Sequence, residues 1–242
     1  MVNPKSLKFC AWCGPLVLII FGSAFLLGGW VPIHSSTDSA EQVATFYQHR
    51  TVFKQIGILL MTVSSTLFVL WGAAIASQIR RCERGIPVFT YAMVALAGGG
   101  SAIGYVIFLS WGVAAFRPWT LSPQILLMLD DLGWFFMLSS IPMYMMWAVV
   151  IAAAIWFDQS ERPIFPRWVM YMNIATVILY IPTAFSAFDK SGPFANDGAL
   201  GGYLQFGVYF VWEIAMSYAL FHAADRVQVS RRPTPARSPA TV

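Results

Sequence analysis

Long apolar runs separated by short polar segments dominate the pattern of this 242-residue chain. A helix crosses about 30 Å of hydrocarbon in roughly 20 residues, because each residue rises 1.5 Å. Apolar windows of that length occur six times, so we predict an all-α, polytopic transmembrane helical bundle with six spans. The spans lie near residues 14–33, 55–78, 88–111, 130–157, 166–188 and 199–222.

Shorter patterns complete this organisation. Ser39 followed by Gln42 is a capping-box pattern, and apolar residues recur after it at helical spacing, which predicts a short interfacial helix or an extension of the second span. Ser122 followed by Pro123 is a good helix start, two turns before two acids in the fourth span. Residues 1–225 form one predicted domain. Residues 226–242, rich in Pro, Arg, Ser and Thr, form a predicted disordered basic tail.

Composition supports a lipid environment. The chain is 58% hydrophobic and 11% charged, whereas soluble domains carry about 25% charged residues. With the N-terminus inside, eleven cationic residues lie on the cytoplasmic side and four on the outer side, so both termini are predicted to be cytoplasmic. The net charge of +4 then reflects topology and gives no reason to expect nucleic acid as a partner. We expect a multi-pass protein of the plasma membrane, the inner membrane of a bacterium.

Glu213 is the most informative charged residue, because it lies about fourteen residues, or roughly 21 Å, from the outer end of the sixth span. A carboxylate at that depth must face protein or water, be paired, or be protonated. Tyr209 and Phe206 share its helical face, which suits an acid in an aromatic binding pocket. The alternative is a structural Glu213 that hydrogen-bonds a neighbouring Tyr, Trp or Asn173.

Asp130 and Asp131 lie near the outer interface, where charges cost less. Adjacent residues on a helix point about 100° apart, so one acid can face the bundle while the other faces the headgroups. Asp131 shares a helical face with Trp134 and is predicted to be an acid of an outer vestibule. The alternative is a surface ion pair with Arg117.

Other candidate chemistry is weak. Two outer histidines and three cysteines lack the set of four ligands typical of a metal site, so we expect no metal and no cofactor. The pattern contains no filter loop of an ion channel. Large inward-facing aromatic residues can instead hold helices apart and line a cavity. The predicted substrate-binding residues are Trp134, Tyr209, Trp212, Phe206, Asn173 and Tyr144.

Four stretches of the sequence, in this order, resemble segments of a known group of proteins. Ala115-Phe116-Arg117-Pro118, Asp131-Leu132-Gly133-Trp134, Phe165-Pro166-Arg167-Trp168-Val169 and Ser191-Gly192-Pro193-Phe194-Ala195 resemble those of a group of actinobacterial multi-spanning membrane proteins of unassigned function. More loosely, the size and the intramembrane acids are similar to small integral-membrane terpene cyclases. That analogy implies cyclisation started by a carboxylic acid and aromatic rings that stabilise cations.

These observations predict an integral membrane enzyme that acts on a hydrophobic, isoprenoid-like substrate. Glu213, Asp131 or Asp130 would be the acid that starts cyclisation or isomerisation. The alternative is a non-enzymatic small-molecule carrier or accessory membrane protein. The expected partners are a hydrophobic small molecule and membrane lipid, and the pattern does not indicate an oligomeric state.

Overall fold

A computed structural model describes residues 4–229 of the chain. Those residues contain no strand, and six helical segments are long and apolar enough to cross a membrane, which confirms the predicted fold class. The α-helices are α1 Pro4–Gly28, α2 Ala40–Gln48, α3 Thr51–Cys82, α4 Val88–Phe116, α5 Pro123–Ser139, α6 Ile141–Trp156, α7 Arg167–Tyr180 and α8 Leu204–Val229. A 3₁₀-helix, Pro182–Ala187, follows α7, and a π-helix, Ala199–Tyr203, precedes α8.

The six spans close into a ring. Helix α1 packs against α3, α3 against α4, α4 against the α5–α6 pair, α6 against α7, α7 against α8, and α8 returns to α1. An ion pair of 2.7 Å between Lys8 and Asp225 joins the start of α1 to the last turns of α8. The start of α1 and the end of α8 therefore lie on one side of the bundle, which we call the terminal side. The prediction that this side is cytoplasmic stays a prediction.

The first span ends earlier than hydropathy alone predicts. Gly29 has a φ of 81°, and the amides of Gly29 and Trp30 donate to the carbonyls of Leu26 and Phe25. This is the hydrogen-bond pattern of a Schellman cap. The indole of Trp30 then lies directly on Gly28, where an added Cβ would fall 1.9 Å from the ring. The apolar run continues to residue 33, but the helix ends at Gly28, because the positive φ of Gly29 turns the backbone out of the helical conformation.

Three of the spans are interrupted near the middle of the bundle. The fourth span breaks between α5 and α6 at Ser140, with Pro142 in the first turn of α6. The fifth changes from α-helix to 3₁₀-helix next to Pro182, and the sixth changes from π-helix to α-helix at Leu204. Proline removes a backbone donor and crowds the preceding turn, which explains the first two breaks.

The segment between the first and second spans forms the predicted short helix, α2. The Gln42 amide donates to the Ser39 hydroxyl, and the Ser39 amide donates to the Gln42 side-chain carbonyl at 2.6 Å. Arg50, in the left-handed conformation, separates α2 from α3. The segment is therefore a separate helix and not an extension of the second span.

Two clusters of tryptophans occupy the core at different depths. On the terminal side, Trp71, Trp147 and Trp212 pack with centroid separations of 5.4 to 5.9 Å. On the opposite side, Trp111 stacks on Trp30 at 5.1 Å and contacts Trp134 at 5.2 Å. A central cavity lies in the space between the two clusters.

Candidate functional site

A cavity of about 80 Å³ lies in the middle of the ring, between the two tryptophan clusters. Every span contributes to its wall. Seven aromatic residues line it: Phe21, Phe68, Phe108, Phe206, Tyr144, Tyr180 and Tyr209. Its other polar side chains are Ser64, Ser65, Ser140 and Gln205.

Two glycines of α4 leave space for this cavity. An added Cβ on Gly104 would fall 2.2 Å from the Ser65 hydroxyl, and one on Gly100 would fall 3.2 Å from the methyl group of Met143. Both glycines line the cavity. Helices that pack through small residues approach closely, and here that approach brings the polar side chains of α3 to the cavity wall.

The break between α5 and α6 adds polar groups to the cavity. The side-chain amide of Gln205 donates to the Met137 carbonyl at 3.2 Å, and the Ser140 hydroxyl donates to the same carbonyl at 3.1 Å. The carbonyl oxygen of the Gln205 side chain is buried and has no hydrogen-bond partner among residues 4–229. An unsatisfied acceptor of this kind is available to a ligand hydroxyl or to water.

Glu213 lies beside the cavity but is not part of its wall. Its side chain is fully buried, and within the described chain neither carboxyl oxygen makes a hydrogen bond of good geometry. The Tyr209 hydroxyl is nevertheless close enough to act as a hydrogen-bond partner of the carboxyl group. Three tyrosines of the cavity wall, Tyr209, Tyr144 and Tyr180, are close enough to Glu213 to interact with it electrostatically. The predicted acid therefore lies next to tyrosines of the cavity wall without lining the cavity itself.

Asp130 is the acid that faces the bundle at the opposite side. It is buried, and the hydroxyl of Tyr47 donates to its carboxylate at 2.6 Å. His34 Nδ1 lies 3.8 Å from the other carboxylate oxygen, and the indole of Trp111 donates to the backbone carbonyl of Asp130 at 3.3 Å. Burial and the neighbouring carboxylate raise the pKa of Tyr47 well above its ordinary value. Asp130 belongs to this polar cluster and does not line the central cavity.

Asp131 is exposed and lines a vestibule of about 390 Å³ on the side opposite the terminal side, together with Trp134 and Lys190. The expected ion pair with Arg117 is not found among residues 4–229, where the Arg117 guanidinium instead lies over the Phe116 ring at 5.7 Å. The central cavity is lined by neither Asp131 nor Glu213, so the candidate acids lie in three separate environments.

The predicted substrate-binding residues also divide between locations. Tyr209, Phe206 and Tyr144 line the central cavity, and Trp134 lines the vestibule. Trp212 and Asn173 bind each other, because the Trp212 indole donates to the Asn173 side-chain carbonyl at 2.9 Å. Their polar atoms therefore join α7 to α8 at a distance from the cavity wall.

Sequence reasoning missed Gln205, Tyr180 and Tyr47 as candidate residues. Gln205 and Tyr180 each lie next to a helix interruption, and the Pro182 signal could have drawn attention to Tyr180. Nothing local connects Tyr47 with Asp130, because they are 83 residues apart.

In the described part of the chain, no three His, Cys, Asp or Glu side chains lie close enough to hold a metal ion. The chain matches no family model and has no significant similarity to a curated protein or to a solved structure.

Proposed function

We propose that this protein is an integral membrane enzyme that binds one end of a hydrophobic, isoprenoid-like lipid in the central cavity. Glu213 supplies the proton that starts cyclisation or isomerisation. The observation that carries the proposal is a fully buried carboxyl group without a well-formed hydrogen bond in the described chain, close to the Tyr209 hydroxyl and next to a cavity with seven aromatic rings. Tyr209 lines that cavity and interacts with Glu213, so it connects the acid to the ligand space.

The environment of Glu213 favours a neutral carboxyl group. Burial penalises the charged form, and the described residues contain no cation paired with Glu213. A neutral carboxyl group is the form that can donate a proton. We assign this role to Glu213 alone, because Asp130 has a donor in Tyr47 and Asp131 faces the vestibule.

The proposed reaction conserves atoms and electrons. An epoxide oxygen takes the proton of the Tyr209 hydroxyl while Tyr209 takes the proton of Glu213, and the carbon–oxygen bond breaks to leave a carbocation. The π-electrons of a neighbouring double bond in the substrate then close a ring and move the positive charge to another carbon, or the first carbocation reacts without closing a ring. In either case a proton leaves the carbon next to the positive charge and a double bond forms there. Tyr209 passes this proton to the Glu213 carboxylate, and no oxidant or reductant is needed.

The aromatic wall suits the intermediate of this reaction. A cation within about 6 Å of an aromatic ring face gains about 2 kcal/mol or more when water is excluded. The rings of Phe206 and Tyr209 both lie within 6.4 Å of the Phe21 ring by centroid. Several ring faces are thus available to a single developing charge.

The cavity size limits what enters it. At about 80 Å³ it is roughly half of the ~150 Å³ cavity that admits benzene. It therefore suits a small branched or epoxidised end of a lipid, while the remainder of the chain extends beyond the cavity.

A carrier is the second candidate function, and the helix interruptions favour it. Transporters commonly bind their substrates at discontinuous helices near the membrane midplane. Three spans of this protein are interrupted, at Ser140, Pro182 and Leu204, and the central cavity is lined by residues next to these breaks. In a carrier, Glu213 would exchange protons with the cargo or with water without changing covalent bonds.

The test uses the purified full-length chain in lipid nanodiscs with an epoxidised fifteen-carbon prenyl alcohol as the probe. We expect the wild-type protein to form cyclised or isomerised alcohols of unchanged mass, detected by gas chromatography with mass spectrometry. Glu213→Gln should lower the rate by about 10²- to 10⁴-fold, the usual contribution of a general acid. Glu41→Gln, which changes an exposed acid of α2, is the matched control.

A second pair of variants tests the cavity separately from the acid. Gly100→Ala places a methyl group against Phe68 and Met143 in the cavity, whereas Gly98→Ala on the same helix meets no atom within 4 Å. Binding of the probe should weaken in Gly100→Ala only. Unchanged turnover in Glu213→Gln would exclude Glu213 as the acid. Binding without turnover, together with probe uptake into vesicles, would favour the carrier.

A further inference from the structure

A wide groove lies on the terminal side of the bundle, between the end of α8, the end of α3 and the loop from α6 to α7. It encloses about 800 Å³. Three arginines from these three parts of the chain line it: Arg81, Arg162 and Arg226. The groove is separate from the central cavity and shares no lining residue with it.

The groove continues into an apolar extension of about 250 Å³. The two parts share Ile164, His222 and Arg226. The extension is flanked by Trp168 and Tyr218, whose rings lie 6.3 Å apart and are both exposed. Exposed Trp and Tyr are typical of the boundary between membrane and water.

The periodicity of α8 explains how the two parts are aligned. Tyr218, His222 and Arg226 follow one another at intervals of four residues and therefore share one helical face. Over eight residues, or about 12 Å, this face changes from aromatic to cationic. A ligand that lies along it meets apolar surface at one end and guanidinium groups at the other.

Charge on this side favours an anion. The described residues of the terminal side include eight Lys and Arg against four Asp and Glu. Of the acids, Asp225 is paired with Lys8. Asp158 accepts hydrogen bonds from the amides of Ser160 and Ile164. Glu161 and Asp225 both line the groove, where three arginines outnumber these two acids.

The arginines retain donors for a ligand. One nitrogen of Arg226 donates to the Pro163 carbonyl at 3.1 Å, and one nitrogen of Arg81 donates to the Gln78 side chain at 2.5 Å. A guanidinium group carries five N–H donors in a planar fork, so several remain on each arginine. This geometry matches the oxygens of a phosphodiester.

We propose that this groove binds an anionic phospholipid. Its headgroup phosphate lies among Arg81, Arg162 and Arg226, and its glycerol and acyl chains follow the Trp168–Tyr218 surface toward the hydrocarbon. Basic pockets between membrane helices commonly bind anionic headgroups, because their positive charge lies at the depth of the lipid phosphates. The site does not depend on the function proposed for the central cavity.

The test is native mass spectrometry of the full-length chain titrated with phosphatidylglycerol or phosphatidylcholine. We expect a lipid adduct at lower concentrations of phosphatidylglycerol. Arg162→Gln and Arg226→Gln should each weaken that binding by about five-fold, the effect of one cationic side chain near an anionic lipid surface. Arg84→Gln removes an arginine of the same side that does not line the groove, and it should change binding by less than about two-fold.

A folding control accompanies the binding measurements. Arg226 also binds the Pro163 carbonyl, so tryptophan fluorescence checks the folding of that variant. Arg162 lies exposed in a loop, and its variant is decisive even if Arg226→Gln unfolds. Equal binding of the two lipids, or wild-type binding by both groove variants, would overturn the proposal. Displacement of phosphatidylglycerol by millimolar glycerol phosphate would instead indicate a site for a soluble anion.

Discussion

Replacing the two fully or nearly fully buried acids should change stability in opposite directions. Glu213→Met removes a carboxyl group that makes no hydrogen bond of good geometry among residues 4–229, although the Tyr209 hydroxyl lies nearby, and replaces it with an apolar side chain of similar length. A buried polar group without a partner costs about 1–3 kcal/mol in proteins. We therefore expect Glu213→Met to raise the free energy of unfolding by about that amount.

Asp130→Leu is the contrasting variant. Asp130 accepts a hydrogen bond of 2.6 Å from Tyr47, whose side chain is fully buried. Removing the acceptor leaves the tyrosine hydroxyl without its partner, which costs about 1–3 kcal/mol. Stability should therefore fall in Asp130→Leu, although the substitution also replaces a buried acid with an apolar residue.

The measurement is unfolding of both variants in mild detergent, followed by the fluorescence of the ten tryptophans. A gain of stability in Glu213→Met together with loss of probe conversion is the trade-off expected when a residue is kept for function. A loss of more than about 1 kcal/mol in Glu213→Met, on the scale of a made hydrogen bond, would refute this reasoning. Glu213 would then be a structural residue that joins α8 to its neighbours.

Two further substitutions test packing on the opposite side of the bundle. Tyr47→Phe removes the donor to Asp130 and should lower the free energy of unfolding by about 1.5–3 kcal/mol, and its effect should not add to that of Asp130→Leu because the two side chains form one hydrogen bond. Full additivity in a double-mutant cycle would contradict the contact. Gly133→Ala places a Cβ 2.3 Å from the indole nitrogen of Trp111 and should cost about 1–3 kcal/mol by overpacking. Near-ultraviolet circular dichroism should report the displaced indole, and an unchanged spectrum with wild-type stability would contradict this close packing.

The sequence by itself determined the number of spans and several helix boundaries. Membrane insertion depends on the length and polarity of a continuous segment, and both are local properties. The start of α2 at the Ser39–Gln42 capping box and the start of α5 after Ser122 are also local, because each depends on residues within one turn. The end of α1 is also local, because the helix ends at Gly28 and Gly29 adopts a positive φ. Hydropathy alone extended the span to residue 33 and was wrong about this boundary.

Only the tertiary structure decided which side chains meet. Adjacent acids such as Asp130 and Asp131 have the same local preferences, and the rotation of α5 against α4 and α2 decides which of them is buried. The contact of Tyr47 with Asp130 joins distant segments. The central cavity needs all six spans in a closed ring. The sequence placed Glu213 deep in a span, but its unpaired state beside that cavity depends on neighbouring helices, because hydrogen-bond partners and empty space are properties of packing.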